Sequence, residues 1–124
     1  MPKTVKDMVA EANAVVPRVS PEDAARLPAD TLLIDLRDSA EIAASGKIAG
    51  AVAVSRGMLE FRADPDSPLH HEAFRRDRPV ALYCASGNRA ALAGKTLLDM
   101  GFTDVRNAGL FKELAAAGMK VEKD

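Results

Sequence analysis

The chain has 124 residues, 48% hydrophobic and 28% charged, which is the size and make-up of one soluble domain with a real core. Its 17 basic and 18 acidic residues are interspersed and leave a formal net charge of −1, so no basic block holds a phosphate backbone and no nucleic-acid partner is expected. No apolar run approaches the roughly 20 residues that span a bilayer, and a single cysteine makes no internal disulfide, so a reducing, cytoplasmic setting without a membrane partner is expected.

From the N-terminus, Val5, Met8, Val9, Ala12 and Val16 recur at helical spacing and Pro17 closes the run. This predicts an amphipathic helix over residues 1–16 ahead of a core over residues 17–124 of the same single domain. Ser20, Pro21 and Asp23 then supply an N-cap, an N1 proline and a near capping box for a short second helix. The runs TLLIDLR, AVAV and PVALYC are too short for helices and are bounded by Gly, Ser, Pro or charge, so they read as buried parallel strands. Helical pieces lie between them: DSAEIAAS after the first, and RGMLEF after the second, with Met58 and Phe61 as its core contacts. RADPDSPLHH reads as a polar loop because its two prolines exclude regular structure. His70 and His71, being adjacent, point apart and do not converge on a metal. A helix from about Asn88 to Met100 stopped by Gly101, a short strand DVRNA, and a last helix LFKELAAAG stopped by Gly118 complete the chain. The alternation predicts an α/β fold of three layers, α/β/α, around a central, mainly parallel sheet of four or five strands. Ligands of such sheets gather at the carboxyl ends of the strands, and Asp35, Ser55 and Cys84 fall at or near those ends.

The segment CASGNR joins a strand end to a helix start. A short loop there turns backbone N–H groups inward, Gly87 allows the positive φ such a cradle needs, and the helix adds the positive end of its dipole. Ala85, Ser86, Gly87, Asn88 and Arg89 thus form an anion nest. A cysteine at the end of a buried strand is by itself more often inert packing. The glycine, the arginine and the helix start within five residues reverse that reading, because such a site stabilises a thiolate and makes Cys84 a nucleophile. Arg89 either pairs with an incoming anion or holds the loop closed.

Cys84-Ala85-Ser86-Gly87-Asn88-Arg89 resembles the Cys-x-x-Gly-x-Arg active loop of the single-domain rhodaneses, a sulfurtransferase family. LLIDLRDSAEI, with Asp35, Arg37 and Glu41, is similar to that family's Asp-x-Arg segment. GKIAGAVAV resembles its Gly-His-Ile-x-Gly-Ala segment, and NAGLFKEL its closing Gly-Gly-Phe-x-x-Trp segment, all in the same order. Lys47 replaces the usual His, one extra residue lies between Glu41 and Gly46, and Leu110 and Leu114 replace the second Gly and the Trp.

The resemblance implies a rhodanese-like fold and a thiosulfate sulfurtransferase that works without cofactor or metal. Cys84 would take the outer sulfur of a small anionic donor such as thiosulfate, become a persulfide, and pass the sulfur to cyanide, a thiol or a protein sulfur acceptor. Asp35 and Arg37 carry over as supporting residues that brace the loop. Arg56 and Arg62, on the long connection SRGMLEFRADPDSP, are candidates to receive the anionic donor, weighed against two solvated surface arginines. Two other functions compete. Phosphatases of the related fold use a Cys-x5-Arg loop, whereas four residues separate Cys84 from Arg89 and make a smaller cradle. A sulfur carrier or regulatory binding module of the same fold is the other.

Overall fold

The computed structural model describes residues 2–123. Each short apolar run becomes a strand of one sheet: β1 (Leu32–Asp35), β3 (Val52–Ala53), β4 (Val80–Cys84) and β5 (Val105–Leu110) lie in the order β3-β1-β4-β5. All three pairings are parallel. β4 has a neighbour on each side and buries every residue, as an unbroken apolar run in a parallel sheet requires. Its side chains alternate between two cores. Val80, Leu82 and Cys84 face the layer of α4 (Leu59–Ala63) and α5 (Asn88–Asp99). Ala81 and Tyr83 face α2 (Pro21–Ala24) and α6 (Phe111–Ala116). The three-layer expectation therefore holds, with four strands in the sheet.

A further antiparallel pair was not foreseen in the sequence. β2 (Lys47–Ile48) pairs with β6 (Val121–Glu122), outside the main sheet and just after α3 (Ser39–Ser45). Two-residue strands carry no periodicity from which to read them. The β4–β5 ladder is also interrupted: Leu82 pairs with Asn107 but Tyr83 with Gly109, so Ala108 is the extra residue of a bulge. Gly109 takes φ 89° there, a conformation that glycine adopts without penalty.

One of the two core contacts expected in RGMLEF lies elsewhere. Phe61 is 53% exposed, because the one-turn spacing of Leu59 and Ala63 turns those two residues of α4 inward and leaves Phe61 on the outer side. Met58 does pack against the core. In α1 (Val5–Val15), Val5 and Met8 are exposed while Ala12, and Val16 just beyond the helix, are buried. The helix packs on α5, not on the sheet, so only its C-terminal part finds apolar cover. The two histidines pin their own loop: His70 Nε2 lies 3.3 Å from the Phe74 carbonyl, and His71 Nδ1 accepts the Ala73 N–H at 3.1 Å. Among the described residues no helix is long and apolar enough to cross a membrane.

Candidate active site

Parallel strands bring their last residues to one edge, and this places Asp35 at the end of β1 beside Tyr83, the neighbour of Cys84 at the end of β4. Ser55 follows β3 on the same edge. Beyond Cys84 the chain must reverse into α5 within a few residues. Gly87 makes the turn at φ 87°, and its N–H donates to Cys84 Sγ at 3.0 Å. A side chain at this position would be strained in the left-handed region. The thiol is fully buried beneath the loop, while Ala85, Ser86 and Asn88 are exposed at its rim. Of the loop amides, that of Gly87 reaches the sulfur, and that of Asn88 turns to Ser86 Oγ at 3.4 Å.

Asn107 is a site residue that the sequence reading missed. It is buried in β5, its Nδ2 donates to the Gly87 carbonyl at 3.1 Å, and its Oδ1 accepts the Gly109 N–H at 2.8 Å. Asn107 thereby locks the loop to the bulge of the neighbouring strand. Its signal was a polar residue in the strand pattern two positions before a glycine, the usual mark of a bulge.

Arg89 is paired with a carboxylate. Its Nη1 and Nη2 both donate to the Glu41 carboxylate, at 2.8 and 3.0 Å, so it ties the end of the loop to α3. Glu41 also accepts the Asp38 N–H at 2.9 Å. Hydrogen bonding from Arg89, followed by that from Asp38, lowers the Glu41 carboxyl to about 2, and the same bond moves Arg89 further above its ordinary range.

Asp35 and Arg37 form a second, fully sequestered pair. Arg37 Nη2 and Nε donate to the Asp35 carboxylate at 2.8 and 3.1 Å, and the remaining donors reach Ser45 Oγ at 2.8 Å and the Gly46 carbonyl at 2.6 Å. The guanidinium lies 4.0 Å from the centre of the Phe111 ring. Burial disfavours this cation, yet hydrogen bonding and charge from Asp35 keep its pKa raised. The pair joins β1, the α3–β2 turn and α6.

The arginines of the long connection part company. Arg56 donates to Glu60 at 3.0 Å and to Thr96 at 3.1 Å, two turns along α5 from the loop, and so serves helix packing. Arg62 lines an open cleft of about 680 Å³ together with Arg37, Ser39, Lys47 and Ser55, and donates to the Leu69 carbonyl at 3.5 Å. Lys47, in place of the expected His, pairs with Glu122 across β2 and β6.

The fold and site define a class: a parallel α/β sheet with one cysteine nested in a strand-to-helix loop at its carboxyl edge. Residues 20–109 match the rhodanese-like domain, and the chain belongs to that family. It is similar to a sulfurtransferase from Allochromatium vinosum, 33% identical over 78 residues that span 63% of this chain and 64% of that relative, less than two thirds of its length. A solved structure from Rhodopseudomonas palustris CGA009, a protein of unknown function described as a possible tyrosine phosphatase, shares 40% identity. It covers 98% of this chain and 99% of its own, with a TM-score of 0.89. The polysulfide-sulfur transferase homodimer of Wolinella succinogenes shares 34% identity over 96% of this chain and 87% of its own, with a TM-score of 0.76.

Proposed function

We propose that the protein is a sulfurtransferase that carries sulfane sulfur on Cys84, with thiosulfate as a donor. The observation that carries this reading is the Gly87 N–H aimed at Cys84 Sγ at 3.0 Å, within a loop held at Gly87 by Asn107 and at Arg89 by Glu41. In the first half-reaction the Cys84 thiolate attacks the outer sulfur of thiosulfate. The donor's S–S bond breaks, its electron pair leaves on sulfite, and Cys84 keeps the transferred sulfur as a persulfide anion. The Gly87 N–H and the positive end of α5 stabilise that charge. In the second half-reaction a cyanide or thiolate acceptor attacks the outer sulfur and leaves as thiocyanate or a new persulfide, returning the Cys84 thiolate. The reaction consumes no redox equivalent and uses no general base once the thiol is ionised.

Sγ lies beneath the exposed rim formed by Ala85, Ser86 and Asn88. The family relatives named as sulfur transferases support this reading. A phosphatase reading is favoured by the description of the Rhodopseudomonas structure. The four-residue spacing between Cys84 and Arg89 opposes it, as does the commitment of both terminal Arg89 nitrogens to Glu41, since a phosphoryl group needs a wider cradle and a free guanidinium. Thiocyanate formation from thiosulfate and cyanide tests the choice. The wild type should turn over and Cys84→Ser should not, while hydrolysis of an aryl phosphate by the wild type without thiocyanate formation would favour the phosphatase.

A further inference from the structure

The charge of the loop arginine is already balanced by a carboxylate. Arg89 spends both terminal nitrogens on Glu41, and Arg37 spends its donors on Asp35, Ser45 and Gly46. Each pair presents little net charge to a donor approaching Cys84. Two other cations border the loop, Arg18 and Lys112, and among the described residues neither forms an ion pair. Both are exposed.

Their placement follows from the sheet. Cys84 stands in register with Leu110, so the corner from Gly109 to Lys112 runs beside the loop. Arg18 enters through the backbone bridge that its residue makes with Asn107. A Cβ on Gly109 would stand 2.5 Å from Arg18 Nη2, and one on Gly87 would stand 3.5 Å from Arg18 Nη1. The guanidinium therefore occupies space that the two missing side chains leave open. On the other side, Lys112 lines a pocket of about 210 Å³ with Ala85, Glu41, Ser45, Arg37 and Phe111. Phe111 is held inward against Arg37, and its neighbour Lys112 is left on the rim.

We propose that Arg18 and Lys112, one on the Gly87 side of the loop and one on the Ala85 side, are the residues that select an anionic sulfur donor by receiving its oxyanion end, while Arg89 serves only to hold the loop. The identity of the donor rests on the sulfur-transfer reading; the charge selection has its own readout. Because both cations are exposed, their pull is screened over about 10 Å at 0.1 M salt.

The test alkylates Cys84 in the full chain with anionic iodoacetate and with neutral iodoacetamide at low and high salt, beside KM and kcat for thiosulfate. In the double variant Arg18→Gln, Lys112→Gln the iodoacetate-to-iodoacetamide rate ratio should fall about tenfold at low salt, a modest share of what charge focusing achieves in clefts. KM for thiosulfate should rise by a similar factor with kcat little changed, high salt should erase the difference, and Arg18→Lys with Lys112→Arg should preserve the wild-type ratio. An unchanged ratio, or an equal fall in both alkylation rates as from mere loosening of the loop, overturns the proposal. Alkylation needs no sulfur transfer, so a wild type that shows the charge-dependent ratio but forms no persulfide refutes the sulfur-transfer reading and leaves anion selection standing.

Discussion

Two arginine–carboxylate pairs stand at the carboxyl edge of the sheet, and they differ in burial and in reach. Asp35 and Arg37 are two positions apart, with side chains 0% and 4% exposed; Glu41 and Arg89 are 48 positions apart and remain 35% and 32% exposed. Burial decides how much stability depends on a pair, since a charge left alone in the interior cannot recover its hydration. Sequence separation decides what the pair couples. The first pair holds a corner of the fold; the second holds the loop after Cys84 against α3.

The strongest way to break this comparison is at Asp35. Asp35→Asn leaves the buried Arg37 cation without its counter-charge and should cost about 3–5 kcal/mol, read from the urea midpoint. A loss below about 1 kcal/mol, the range of exposed pairs, would remove the distinction between the two sites.

Glu41 sharpens the same contrast from the other side. Glu41→Gln should cost only about 1 kcal/mol or less, because solvent screens a pair that is a third exposed, yet persulfide formation should slow by about tenfold as the loop loses its alignment. The pH dependence has a definite sign. The Glu41 carboxyl is lowered from 4.5 to about 2 by Arg89 first and the Asp38 amide second, so the folded state binds its proton less readily than the unfolded chain. The stabilisation is complete above 4.5 and is lost as pH falls through about 2. The gap in urea midpoint between wild type and Glu41→Gln should therefore be widest near neutral pH and shrink at about pH 3. A gap that widens on acidification would contradict the assignment.

The smallest effect is expected at Arg56. Its bonds to Glu60 and Thr96 stabilise helix contacts that are exposed or only partly buried, so Arg56→Ala should shift stability by about 0.5 kcal/mol and leave thiosulfate turnover unchanged. A large rise in KM would return Arg56 to the donor site.

Much of this site was legible because its parts are local. The strand end, Gly87 and the helix start occupy six consecutive residues, and the apolar runs around them were long enough to place four strands. What escaped was long-range or one-sided. The pairing of Arg89 with Glu41 depends on packing that no spacing reveals, and Asn107 acts on Gly87 from 20 residues away. Phe61 matched a helical spacing but not the face turned inward, because the short α4 has its direction set by Leu59 and Ala63. Arg18 and Lys112 gave no motif at all; the pairing of the strands brings them beside the loop that follows Cys84.

The central claim is that Cys84 accepts sulfur. Intact-mass spectrometry after brief exposure to thiosulfate should show one added sulfur, about 32 Da, removed by cyanide and absent from Cys84→Ser. A wild-type chain that gains no mass, or a Cys84→Ser chain that gains the same mass, would contradict it.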